Sequence, residues 1–265
     1  LVSPIFYFHE KQTWVTQLQN LWKVLSTNFE VHPTKECSTH IHLSPATGSW
    51  TLAESKGIAQ AAVYFERCID ALLPGHRRIN PYCMSNRHNP RYNHLPLPLI
   101  FQDLSQTESD EALAENMCWC SKDSMHAQRT LHEDDFVHPH FRWNFTSLTD
   151  RKRTIEFRQP PASRDVRDTV TWVLFAVCFA RWASERASVG LDPTRPAELA
   201  ELYKCVMAGA RLSGVPDGML GLLEELFRGV KQLPMARYDL KGITQEEEDK
   251  LRMGGAEKRD VVHEV

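Results

Sequence analysis

Val170 to Ala180 reads Val-Thr-Trp-Val-Leu-Phe-Ala-Val-Cys-Phe-Ala, interrupted only by Thr171. Asp165, with Asp168 three residues later, caps such a run, and the spacing predicts a helix to about Ala187. That helix is apolar on every side through Phe175–Phe179. It must therefore be enclosed by other elements, as the buried centre of a helical layer. The apolar run is about half of the roughly 20 residues needed to cross a bilayer. The chain is accordingly read as a soluble protein with no membrane partner.

The rest of the 265 residues supplies the enclosure. Trp14, Val15, Leu18, Leu21, Trp22 and Leu25 recur at helical spacing and predict a helix over about 11–27. Thr51-Leu-Ala-Glu54 is a capping box ahead of Ile58, Ala62, Phe65, Ile69 and Leu72. It predicts one long helix that ends at Pro74-Gly75, with Gly57 its weak point. Residues 76–103 read as irregular, punctuated around Asn86–Pro90 and at Pro96 and Pro98. Further helices are expected over about 109–119, 196–211 and 217–232. Residues 1–243 are expected to form one domain, and 244–265, charged and poor in large apolar groups, a disordered tail. Lys and Arg number 31 against 34 Asp and Glu, which argues against a nucleic-acid partner. Seven scattered cysteines do not form a disulfide framework. They read as reduced thiols of a cytoplasmic protein.

Short extended segments fall at Asn28–His32 and Cys37–Ser44, and a hairpin at His138–Leu148, Thr149–Lys152 and Arg153–Pro160. Alternate strand residues share a face. Ile41 and Leu43, Phe141, Trp143 and Phe145, and Ile155 and Phe157 therefore face a core. The opposite faces carry His40 and His42, Arg142 and Asn144, and Glu156 and Arg158. Exposed sheet faces are polar by necessity, and cross-strand ion pairing explains a lone Glu-x-Arg cheaply. The coincidence of all these groups points further, to one cleft. His40 and Glu156 can hold a divalent cation. Arg142 and Arg158 can grip a carboxylate or phosphate. Arg153 and His42 can neutralise a transferring phosphoryl group. Arg78 and Asn80 lie in the polar 76–103 segment.

Three stretches carry a resemblance: Cys-Ser-Thr-His40-Ile-His42-Leu-Ser, Arg77-Arg78-Ile-Asn80-Pro-Tyr-Cys and Arg153-Thr-Ile-Glu156-Phe-Arg158-Gln-Pro-Pro. Over roughly residues 1–185 the chain resembles an amidoligase family common in fungi, within the glutamine synthetase and glutamate–cysteine ligase superfamily. The resemblance implies an α+β fold with an antiparallel sheet and helices packed on one face, a glutamine-synthetase-like catalytic domain. It implies ATP-dependent joining of a small-molecule or peptide carboxylate to an amine through an acyl phosphate, with Mg²⁺ or Mn²⁺. By that similarity His40 and Glu156 are metal ligands, and His42 and Arg153 contact the nucleotide phosphates. By the same similarity Arg158 meets the substrate carboxylate; the polar-face reading adds Arg142 beside Arg158 as an expected catalytic residue, and Asn144, Arg78 and Asn80 beside it as expected substrate-binding residues.

The family usually takes further acidic ligands from an N-terminal Glu-x-Glu strand, whereas Glu10, Glu30 and Glu36 stand singly here. The first residues, Leu-Val-Ser-Pro-Ile-Phe, read like the middle of a strand. Either the acidic strand lies upstream of Leu1, so that the chain is a fragment lacking its N-terminal strand or strands, or the protein is a catalytically inactive nucleotide- or ligand-binding member of the same fold. A metal hydrolase is a third reading, because His-x-His strands occur there too. It fits the helix-rich C-terminal third poorly.

Overall fold

A computed structural model describes residues 1–120 and 137–231 of the chain. The elements run α1 (Lys11–Asn28), β1 (Ile41–Leu43), α2 (Leu52–Tyr64), α3 (Glu66–Ala71), α4 (Gly75–Arg78), α5 (Leu97–Gln106) and α6 (Asp110–Cys118). They continue with β2 (Trp143–Asn144), a 3₁₀ turn (Thr146–Leu148), β3 (Ile155–Phe157), α7 (Val166–Gly190), α8 (Leu199–Leu212) and α9 (Asp217–Lys231). The fold is α+β, with a small three-stranded antiparallel sheet among the described residues, ordered β1-β3-β2. The expected tail at 244–265 lies outside the described residues.

The apolar run forms α7, the centre of the molecule. Asp165 caps it, its Oδ1 accepting from the Asp168 N–H at 2.8 Å. Phe175 and Phe179 are fully buried and stack with 6.0 Å between ring centroids. The sheet lays its apolar face on this ridge. Trp143 stacks on Phe157 at 4.5 Å and on Phe179 at 5.1 Å. From the other elements, Phe65 meets Phe179 and Trp182, and Phe227 of α9 reaches Phe175. Trp22 of α1 donates its indole N–H to Thr169 Oγ1 at 3.0 Å. Helix α8 crosses closest, because a side chain at Gly209 would fall on the Cys178 carbonyl of α7.

Four expectations need correction. The capping box is present, with Thr51 and Glu54 bonded reciprocally, but the long helix divides at Phe65 rather than weakening at Gly57. Beyond the break, Glu66 aims its carboxylate inward, where Arg142 and the backbone N–H groups of Asn86 and Arg87 meet it. Residues 97–106, expected to be irregular, form α5: its prolines occupy the N-cap and first turn, where a missing N–H costs nothing. Asn28–His32 makes no strand. The hairpin pairs only Trp143 with Phe157 and Asn144 with Glu156, leaving strands shorter than the alternation predicts. All seven cysteines are free thiols, and all but Cys37 are buried.

Candidate functional site

The register across the sheet sets one row of side chains. β1 pairs His42 with Glu156, and β2 pairs Asn144 with the same Glu156 from the other side. The central strand thus holds its carboxylate between an imidazole and an amide. Ile41 and Leu43 anchor β1 in the core while His42 faces out, the alternation a half-buried strand requires.

Glu156 is the hub. Its side chain is 3% exposed. Asn144 Nδ2 donates to Oε2 at 2.8 Å, and one Arg158 nitrogen reaches Oε1 at 3.0 Å and Oε2 at 3.2 Å. His40 Nδ1 stands 2.9 Å and His42 Nε2 3.5 Å from Oε1. Burial alone would raise the Glu156 pKa. The bonds to His40 and Asn144 and the charge of Arg158 reverse that and bring it down to about 2. The carboxylate is therefore ionised at any working pH. His42 is held below the usual imidazole value by burial, against the pull of Glu156, which disfavours its protonated form.

The two histidines form the open rim, with side chains 36% and 38% exposed. Each is oriented by a hydroxyl: Ser38 Oγ lies 2.7 Å from His40 Nε2, and Thr154 Oγ1 lies 3.1 Å from His42 Nδ1. The sequence reading did not single out these hydroxyls, although Ser38 and Thr154 sit two residues from His40 and Glu156 on the same polar face.

The expected open face is otherwise covered. Arg142 is completely buried, its guanidinium 2.9 Å from Glu66 and 2.8 Å from Asp70, so it does not line the cleft as an anion grip. Gln159 donates to the other Asp70 oxygen. Burial drives the Asp70 carboxyl up to about 7, Arg142 pulling it back and Glu66 adding to the push. Nothing in the amphipathic pattern of 52–73 marks Glu66 and Asp70 as partners of a residue some seventy positions away. Arg153 also departs from expectation. Its backbone has φ of 51° and its guanidinium donates to the Leu148 carbonyl, leaving Thr154 beside His42. Arg78 donates to the Leu73 carbonyl, and Asn80 Oδ1 accepts from the Tyr82 N–H at 2.8 Å, closing a turn.

As metal ligands, His40 and Glu156 fit in kind and in spacing. Two ligands at right angles on an ion, each about 2.1 Å away, stand about 3 Å apart, and these stand 2.9 Å apart. They fall short in number. Among the described residues, no group of three or more His, Cys, Asp or Glu is arranged to hold a metal ion.

A helix-backed antiparallel sheet presenting a buried carboxylate, two rim imidazoles and an arginine defines an α+β domain. The model of the family described as "Putative amidoligase enzyme" matches residues 1–180. The chain belongs to that family. No curated protein and no solved structure matches it. No helix among the described residues is long and apolar enough to cross a membrane.

Proposed function

We propose that the chain is an ATP-dependent carboxylate–amine ligase with a glutamine-synthetase-like site, working at the His40–His42–Glu156–Arg158 row. The observation that carries this reading is the convergence of four side chains from three strand segments on one carboxylate, inside the region the family matches. ATP and the substrate acid are both anionic. A lone buried carboxylate with no cation to face would repel them, whereas this one lies between imidazoles and a guanidinium.

His40 and Glu156 would be the chain's ligands for a Mg²⁺ or Mn²⁺ ion. Bound there, such an ion would neutralise charge on the ATP phosphates. His42, held by Thr154, contacts a phosphate oxygen from the rim. Arg158 stands 12% exposed at the end of the row and grips the substrate carboxylate. A carboxylate oxygen attacks the γ-phosphorus and ADP leaves. The amine then attacks the acyl carbon, expelling phosphate and losing a proton as the amide forms.

The test is ADP release from the purified chain with Mg²⁺-ATP and a panel of carboxylates and amines. The expected result is ADP only when an acid and an amine are both present, and none from a Glu156→Gln variant. No ADP with any pair, or equal ADP from the variant, overturns the reading.

A further inference from the structure

Lys152 and Arg153 are neighbouring cations where the β2–β3 connection enters β3, and the backbone sends them to opposite sides. The Lys152 N–H is held by Asp150 Oδ1 at 2.6 Å and the Thr154 N–H by the Ser147 carbonyl at 3.2 Å. Between these two ties Arg153 takes its φ of 51°, and no other non-glycine residue among those described has a positive φ. A side chain keeps that conformation only where its surroundings over-determine it. The Arg153 guanidinium leaves the row with the turn. It donates to the Leu148 carbonyl at 3.2 Å, and its charge acts on Asp110 and Glu111 at the head of α6.

Lys152 stays on the side of the row. Thr154, two residues on, touches His42 Nδ1 at 3.1 Å. Of the charges acting on the His42 ring, that of Lys152 comes after Glu156 and ahead of His40 and Arg158, so Lys152 is the dominant cation at that end. It is exposed, and among the described residues it makes no ion pair. The ligase reading engages Arg158 with the substrate acid, which leaves the chain's own contacts to the nucleotide short of a permanent positive charge. An ammonium with three donors on a flexible stem suits oxygens spread over several phosphates.

We propose that Lys152 meets the nucleotide's phosphate oxygens at the His42 end of the row, the role expected of Arg153, so that the polyphosphate lies toward Lys152 and the substrate carboxylate toward Arg158. This rests on the ligase reading and deepens it. The full chain is titrated calorimetrically with Mg²⁺-ATP, and each variant is melted beside the parent. Lys152→Gln weakens Mg²⁺-ATP about tenfold, the loss of one charge-assisted contact. Lys152→Arg, which keeps the charge, stays within about threefold of the parent, a rescue that a merely structural role would not give. Arg153→Gln stays within about twofold, because its guanidinium points to Leu148. Lys152 is exposed, so its variants melt with the parent and the loss is one of contact. If the parent binds and Lys152→Gln binds equally, if Lys152→Arg loses as much as Lys152→Gln, or if Arg153→Gln alone loses affinity, the assignment of Lys152 is overturned and the ligase reading stands. If the parent binds no Mg²⁺-ATP up to about 10 mM, the ligase reading is overturned and this assignment with it.

Discussion

His42 and Glu156 are direct partners across β1 and β3, and His42 Nε2 stands 3.5 Å from Glu156 Oε1. A slip of one residue in that pairing would turn His42 into the core and bring Ile41 or Leu43 out. The burial of Ile41 and Leu43 against α7 and the exposure of His42 are therefore one constraint. The same register brings Asn144 to the other side of the carboxylate.

Replacing Glu156 by Gln keeps the shape and an acceptor for Asn144 but removes the charge that His40, His42 and Arg158 face. ADP release under the two-substrate condition should fall by at least about a hundredfold. Calorimetric melting should show a loss of no more than about 3 kcal/mol, the range for hydrogen bonds to charged groups. A variant that keeps its activity removes Glu156 from the site.

Arg142 should behave as a structural ion-pair member. Arg142→Met leaves Glu66 and Asp70 buried side by side without the guanidinium that pairs them both, which costs about 3–5 kcal/mol and is read by urea denaturation. Arg158→Met, at the partly open end of the row, should cost less stability and more ADP release. The reverse ranking would return Arg142 to the catalytic role that strand alternation assigned to it.

Asp70 makes stability depend on pH. Its folded pKa is raised from 3.8 to about 7 by burial, Arg142 opposing and Glu66 reinforcing. The folded state therefore holds this proton more tightly than the unfolded chain. The contribution to stability is full below pH 3.8 and is lost as pH rises through about 7. Subtracting the denaturation free energies of Asp70→Asn from those of the parent across pH 4 to 8 should show this decline, at most about 4 kcal/mol. A flat difference would mean that the carboxyl stays ionised throughout.

Gly209 is set by the approach of α8 to α7. A methyl group there falls on the Cys178 carbonyl, backbone that cannot turn aside, so the helices must separate. Gly209→Ala should destabilise by about 1–3 kcal/mol or more. Gly218, with open space at its Cβ position, serves as the control: its change to Ala in α9 should be neutral or mildly stabilising.

Much of the frame could be read from residue order alone. The apolar run at 170–180 had one physical solution, a helix enclosed on every side. The caps at Thr51 and Asp165 and the alternation at 41–43 and 155–157 depend on neighbours a few positions apart, and short-range rules report such relations directly. His40, His42, Asn144, Glu156 and Arg158 were legible as one polar face for the same reason. Pro96 and Pro98 misled, since a proline that ends one helix can equally begin another.

Tertiary structure alone decided which of those polar groups meets solvent. Arg142 and Asn144 share the alternation of Glu156, yet α3 brings Glu66 and Asp70 over Arg142 and closes that end. The break at Phe65 and the left-handed turn at Arg153 likewise arise from segments far apart in the chain. Periodicity records which side of its own element a residue occupies. What later packs against that side is settled by long-range burial and charge pairing, which leave no local pattern in the sequence.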